Sequence, residues 1–531
     1  MASTSHPNSP ASTPEDNYGF IESNIAIPAP SHGQEENFAL DSPYPRSQTE
    51  SSEATACSPI SSQVVFQKYC AVHDRTSSKS ISTMVHETHP TPTTTMPDKK
   101  YHRILRNIRW TVMSVYRRLN ILVLTINISI IIALATQHKL LTMSPATAAT
   151  AVSVNILLGV LIRQELVVNA LFWTFGKCPK WFPLRVRRLA AKIYHLGGVH
   201  SGAGMSAALW FAFFNAAIVR AYKHKRLYLH QAAVSALTVL LDVLFMSILC
   251  TAHPAIRSRL HNLFELIHRF AGWSAVILIW TLFGLLSDAE AHSKNVTVLE
   301  AMIYSPAFWA LIIITISIVL PWIWLRKVSV HAEPLSDHAI RLHFTYTNLP
   351  LCAAPRLSDS PLLEWHAFAG IPAEDGQGFS VLVSKAGDWT SRLIRSPPTK
   401  LWVRGIPTMG VLHIAPIFKR TVLVATGSGI GPVLSLLNKR DISCRILWST
   451  PHPERTYKTG VIEAVQRADP EALIINTTVA GRPDLARYTY DLYKSSSAEA
   501  CFIISNPRVT RRVVYALESR GVPIFAPIFD S

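Results

Sequence analysis

Hydrophobic positions fall into three regimes along the chain. Up to about residue 98 they are sparse and set among Ser, Thr and Pro, as in "HPNSPASTPEDN" and "THPTPTTTMPDKK". Such a stretch buries too little apolar surface to offset the entropy of ordering, so the pattern predicts a disordered tail over 1–98. The second regime holds six apolar runs, near residues 119–138, 147–171, 201–221, 230–250, 263–287 and 303–325. Each approaches the roughly 20 residues that a bilayer-crossing helix needs, which predicts a six-helix transmembrane domain over 99–327. From Arg326 the period shortens to alternating runs such as "AIRLHFTY" and "FSVLVSKA" between Pro and Gly clusters, and a small β domain is expected over 328–416. Over 417–531 the buried runs "RTVLVAT", "CRILWST", "ALIINTT" and "ACFIISN" alternate with helical segments that include "VIEAVQRA" and "RRVVYALESRG". Strand alternating with helix predicts a doubly wound α/β domain with a parallel sheet.

Charge refines this picture. Arg163, Gln164 and Glu165 interrupt the second apolar run and Asp242 the fourth. In lipid such groups face the bundle or a wet cavity, as internal ion pairs or as ligand contacts. Basic residues at 99–118, 172–199 and 251–262, with Arg326 and Lys327, fall on one face, which becomes the cytosolic one. The loop Ser287–Glu300 carries Asp288, Glu290 and Glu300 against one lysine, and offers a glycosylation acceptor at Asn295, so it is expected outside. Lys223, Lys225 and Arg226 fall on the outer side and run against the rule. The expected product is a multi-pass protein of the plasma membrane or another endomembrane, with both termini cytosolic.

Composition agrees, with 49% hydrophobic and 16% charged residues pointing away from an ordinary soluble chain and toward a membrane protein with soluble parts. The net charge of +17 sits beside apolar runs, as in "KKYHRILRNIRW" and "RVRRLAAK", and reads as membrane-flanking anchors with lipid as partner, not as a nucleic-acid footprint. Seven scattered cysteines without a CxxC indicate neither a disulfide framework nor a metal site. The tail lacks the pattern of a signal peptide.

The stretch "TVLVATGSGIGPVLSLL", Thr421 to Leu437, reads as a strand, a glycine turn and a helix. It is either a plain turn or a phosphate cradle at a helix N-terminus, where Gly427, Gly429 and Gly431 admit a pyrophosphate close to the backbone.

Its company bears on the choice. "PLLEWHAFAG", then "LVSKAGDWTSRL", the glycine turn, "LWSTPHPER" and "AGRPDL" resemble, in order, the flavin and nicotinamide motifs of the ferric reductase and NADPH oxidase superfamily. The six upstream apolar runs fit that superfamily's membrane core. The tail, "YHLGGVHSGAG" and the short C-terminal half look most like its fungal TmpA and TmpL-type transmembrane flavoproteins. The resemblance implies a cytosolic FAD-binding β-barrel over 328–416 and a nucleotide-binding domain over 417–531, with NADPH favoured over NADH. It places His366, Phe368, Lys385, Gly387, Asp388, Trp389 and Thr390 at the flavin. It places Thr426, Gly427, Gly429, Gly431, Pro432, Ser449, Arg455, Gly481 and Arg482 at the nicotinamide nucleotide. Ala367 and Ala369 depart from the relatives' flavin motif, Ser384 stands where they carry arginine, and "SNPRV" replaces their Cys-Gly-Pro.

The relatives' two-haem ladder is not reproduced. Thirteen and fourteen residues after His268 stand Thr281 and Leu282, and after His200 stand Phe213 and Phe214. Haem is therefore not expected, and His200 and His268 remain the one pair able to hold a single inner haem. The implied activity is a membrane-bound, FAD-dependent NAD(P)H oxidoreductase with an unidentified electron acceptor. The alternatives are a degenerate flavoprotein-like sensor or accessory protein in fungal development or secondary metabolism, and a transporter built on Arg163, Glu165 and Asp242.

Overall fold

The chain divides into two units, Met1–Thr76 and Ser77–Ser531. The computed structural model describes residues 85–86, 91–224, 229–438 and 442–528, all within the second. The expected tail up to residue 84, and the outlying cations Lys225 and Arg226, lie outside the described residues.

A short strand β1 (Val85–His86) precedes the helical region. Six helices then pack side by side: α1 (Val115–Thr136), α2 (Pro145–Leu161), and, after α3 (Glu165–Gly176), α4 (Gly197–Lys223), α5 (Gln231–Ala252), α6 (His261–Lys294) and α7 (Pro306–Ile323). Five helical spans among the described residues are long and apolar enough to cross a membrane, and a sixth is counted if α2 and α3 are taken as one span. That second run was expected as one continuous helix. It instead bends by 63°. The cause is the charged triplet at its centre: Gln164 turns extended and its side chain caps the next helix, accepting from the Leu166 and Val167 amides. Beyond the bend, α3 leaves the bundle and docks on the β domain. Its buried Glu165 pairs with Arg356 and accepts the Ile406 amide at 2.6 Å, and Asn169 is bonded to the backbone of Pro407 and Met409. A bend is thus repaid by satisfying a carboxylate that lipid would penalise.

The bundle core is apolar, with Trp210, Phe211, Phe214 and Leu241 buried, and one polar knot in its middle. There the Asn127 carboxamide oxygen accepts from Asn155 at 3.0 Å and from the Trp210 indole at 2.8 Å. Asp242 accepts from Asn215 at 2.7 Å, so it enters an internal hydrogen bond.

The β domain has two four-stranded antiparallel sheets. One runs β2 (Arg326–Ser329), β9 (Lys400–Met409), β5 (Ala353–Ser358), β6 (His366–Ala367). The other runs β3 (His331–Pro334), β4 (Ala339–Phe344), β8 (Phe379–Ser384), β7 (Gly370–Pro372). Inward residues of both, including Ile340, Leu342, Leu357, Val381 and Leu401, share one core, as alternating strands require. The helix α8 (Asp388–Arg395) closes it with Trp389 and Leu393.

The last domain is a parallel sheet in the order β1, β12 (Leu473–Asn476), β11 (Cys444–Thr450), β10 (Thr421–Thr426), β13 (Ala500–Ile504), β14 (Ile524–Phe525). Alternate residues of β10 feed opposite faces. Leu423 and Ala425 pack with α9 (Ile430–Leu437) and, after α10 (Pro453–Tyr457), with α11 (Thr459–Ala468); Val422 and Val424 pack with α12 (Leu485–Ser495) and α13 (Pro507–Glu518). Both faces are covered, which is why these strands read as continuous apolar runs. Residues from the stretch expected as tail also join this domain: β1 pairs with β12, and Thr93 and Thr94 donate to Asp491.

Candidate nucleotide-binding site

From β10 the chain moves through β11 to β12 on one side of the sheet, then returns to β13 and β14 on the other. The topological switch point therefore lies between β10 and β13, and the crevice beyond the strand carboxyl ends there is where such sheets take ligands. Four features of the sequence meet at that crevice. Thr426 ends β10 and Ser505 follows β13, and their hydroxyls bond each other at 2.6 Å across the switch point. Gly427 turns the chain with φ of 51°, in the left-handed region, and its carbonyl accepts from the Trp448 indole at 3.0 Å. A short turn then leads into α9 at Ile430, so the helix N-terminus points at the crevice.

The three glycines divide the labour. A Cβ on Gly427 would sit in ordinary contact, 3.6 Å from the Tyr457 hydroxyl. One on Gly429 would collide with the Ile504 carbonyl, so this glycine lets α9 approach β13. One on Gly431 would press on Leu382 of β8 at 3.3 Å, where the β domain meets the sheet, and Pro432 follows it in the first turn of α9. Ser449 is buried near the end of β11, and beyond it Arg455 in α10 is exposed. Gly481, with φ of 76°, and the exposed Arg482 lie in the turn after β12, at the same edge of the sheet. Ser505, Trp448, Tyr457 and Leu382 were not singled out from the sequence. Ser505 was signalled by its place directly after an apolar strand. The other three depend on contacts between segments distant in the chain. Burial raises the Tyr457 hydroxyl pKa, while hydrogen bonds with Ser384 and Thr450 act the other way.

The residues that the resemblance assigns to a flavin are gathered, but around each other. His366 stacks on Trp389 at 4.2 Å and Phe368 stacks on the same indole at 5.8 Å. Thr390 accepts the amides of Ala386 and Gly387 at 2.9 and 3.0 Å, which are donors that a flavin phosphate would need. Asp388 and Lys385 are exposed beside them, and His366 is tied to Glu364 at 3.0 Å, which in turn binds Arg392. These groups partner one another, with Lys385 and Asp388 left exposed at the edge of the cluster.

His200 and His268 stand with ring centroids 5.9 Å apart, and His200 Nδ1 bonds the Gly159 carbonyl at 2.8 Å. No group of three or more His, Cys, Asp or Glu among the described residues could hold a metal ion. Asn295 caps the far end of α6 in the left-handed region and is exposed.

Residues 411–531 match the family model "Adenylate-forming reductase 03009, C-terminal domain". Over 439 residues, 82% of this chain, the sequence is 42% identical to Adenylate-forming reductase 03009 of Coprinopsis cinerea, and over 442 residues 42% identical to Adenylate-forming reductase 06235 of the same fungus. The chain spans 42% of the length of each of these curated relatives. Among solved structures, a ferredoxin NADP+ reductase from Neisseria gonorrhoeae with bound FAD and NADP is 14% identical over 38% of this chain and 99% of its own, with a TM-score of 0.32. A flavohemoglobin from Malassezia yamatoensis with bound FAD and heme is 15% identical over 72% of this chain and 99% of its own, with a TM-score of 0.34.

These findings correct the resemblance read from motifs. The relatives are adenylate-forming reductases, not ferric reductases, NADPH oxidases or TmpA and TmpL-type flavoproteins. The reading as a ferric-reductase-like oxidoreductase falls with it, as does the degenerate-sensor alternative. The physical reason is that the shared motifs describe a nucleotide-binding sheet and its neighbouring barrel, an architecture that many unrelated reductases use.

Proposed function

We propose that this chain carries the hydride-supplying part of a reductase, binding NADPH at the carboxyl edge of the parallel sheet. The observation that carries the reading is the switch point itself. A left-handed Gly427, the N-terminus of α9 and the Thr426–Ser505 hydroxyl pair converge there. Amides and the helix dipole favour a pyrophosphate at this place. Arg455, exposed beyond β11, would meet a 2′-phosphate with a two-pronged guanidinium, and Arg482 would lie along the adenosine. The nucleotide, when bound, supplies a hydride; the chain holds and orients it. The names of the relatives couple adenylate formation to reduction, and only the reduction is carried over to this chain. No step is assigned to a flavin.

Calorimetric titration tests this. Arg455→Gln is expected to weaken NADP+ binding about tenfold or more, the worth of a hydrogen bond to a charged group, while NAD+ binding stays as it was. Failure of the native chain to bind NADP+, or equal loss of both nucleotides in the variant, would overturn the proposal.

The helical part we place in a lipid bilayer, as a multi-pass bundle with the β domain and the sheet on its cytosolic side. Support comes from large apolar side chains turned outward along the bundle, among them Ile132, Val239, Ile277 and Ile316, all more than half exposed.

A further inference from the structure

At the amino-terminal edge of the sheet, away from the nucleotide crevice, a cavity of about 300 Å³ is lined by Lys100, Arg109, Arg188 and Lys192, with Glu518 as its one carboxyl. It is far larger than the roughly 30 Å³ share of one water. We propose that this cavity binds a phosphate ester group.

The charge balance points there. Four cations face one carboxyl and the C-terminal end of α13, whose dipole is worth about half a charge, which leaves an excess of roughly two and a half positive charges. Burial raises the Glu518 pKa in spite of Lys192, Arg118 and Arg109 nearby. Structural duties account for only part of the cluster. Arg188 donates to the Glu499 carbonyl at 3.0 Å, and the Lys100 backbone, not its ammonium, bonds the Ser519 carbonyl at 2.7 Å. Arg109 lies against the rings of Tyr101 and Trp110 at 5.6 and 5.5 Å, which holds its guanidinium without neutralising it. Lys192 forms no salt bridge or hydrogen bond among the described residues. Like charges kept together in a partly enclosed space repel one another, and an anion with several acceptor oxygens relieves all four.

Two sources of the phosphate share this chemistry. Lys100 to Trp110 lead into α1, and Arg188 and Lys192 into α4, so the cavity lies at the ends of two bundle helices with Tyr101 and Trp110 beside it. That is headgroup depth for an anionic phospholipid. The second source is a soluble phosphate compound.

The full chain, with saturating NADP+ to fill the opposite edge, is placed in nanodiscs of phosphatidylcholine with or without phosphatidic acid, and separately titrated with inorganic pyrophosphate in detergent. Thermal stabilisation read against probe concentration gives the affinity. Stabilisation by phosphatidic acid alone identifies a lipid source, and stabilisation by pyrophosphate a soluble one. In either case Arg109→Gln with Lys192→Gln is expected to weaken binding about thirtyfold, near fivefold for each cation, and Arg109→Lys with Lys192→Arg to retain it. Lys192→Gln alone breaks no hydrogen bond and serves if the double variant fails to fold. No stabilisation by either probe, or native affinity in the glutamine variants, overturns the proposal.

Discussion

Gly427 and Gly429 stand two positions apart in one turn, yet a methyl group on each would meet a different cost. At Gly427 the cost is conformational, since a side chain at φ of 51° loses about 1–2 kcal/mol and finds ordinary contact at 3.6 Å. At Gly429 it is steric, because the Ile504 carbonyl belongs to the central sheet and cannot step aside as a side-chain tip would. Overpacking of that kind costs about 1–3 kcal/mol and shifts backbone. Thermal unfolding of the two alanine variants, with NADP+ affinity measured on each, should separate them. Gly429→Ala is expected to lower the unfolding temperature more and to disturb α9. Gly427→Ala should remain folded and lose affinity by crowding the crevice. A Gly429→Ala chain that melts with the native one would show that α9 and β13 are not packed so closely.

Between elements, the short helix Leu184–Ala190 is fixed to the sheet by a fork. The Arg187 guanidinium donates to both oxygens of Glu499, at 2.6 and 2.9 Å, just before β13, and the Lys419 amide donates to the same carboxylate at 2.6 Å. These donors, Arg187 foremost, hold the Glu499 pKa below the ordinary carboxylate value. A carboxylate depressed in the folded state contributes stability above its unfolded value of about 4.3, and loses it as the pH falls through the folded value. Glu499→Gln is therefore expected to cost about 3 kcal/mol at neutral pH, the lower end for breaking such a pair, because Glu499 retains 17% side-chain exposure. The difference from the native chain should narrow below about pH 4 in unfolding curves. A gap that stays constant with pH would remove the ion pair from the account. Elements of this kind mark where the sequence stopped being legible. Strands β4, β8, β10 and β11 could be read because alternation or an unbroken apolar run is a local signal. The bend after α2 could be read only as an interruption by Arg163, Gln164 and Glu165, since the partner that makes Glu165 tolerable, Arg356, is far along the chain. At the candidate site the glycine turn was visible by spacing, but not that Thr390 claims the amides of Ala386 and Gly387, nor that Trp389 stacks with His366 and Phe368. The first depends on side-chain direction within one turn and the second joins separate segments of the β domain, and pattern encodes neither.

For the whole molecule, the ties between the bundle and the β domain among the described residues gather at one end. Glu165 meets Arg356, and Arg269 donates to the carbonyls of Leu362 and Leu363 at 2.9 and 2.5 Å. Arg404 lies 4.7 Å from the ring centres of both Trp322 and Trp365, and its pKa is lowered to about 10 by burial first and by Arg356 and Arg269 after it. A charge that costly to bury is held between two aromatic faces at the joint of the bundle and the β domain. The other end of α6 carries a solvated Glu290–Lys294 pair at 2.6 Å and the exposed Asn295. With the bundle in lipid, the two ends face different compartments, and no rearrangement of loops can bring them to one side. An impermeant maleimide applied to intact cells is expected to label Ser293→Cys, on the Asn295 side, above the background of the parent chain. Asp375→Cys, exposed on the β domain, should be labelled only after the membrane is opened. Equal labelling of both in intact cells, or the reverse order, would refute the bilayer placement, since a bundle lying outside lipid would leave both sites equally in reach.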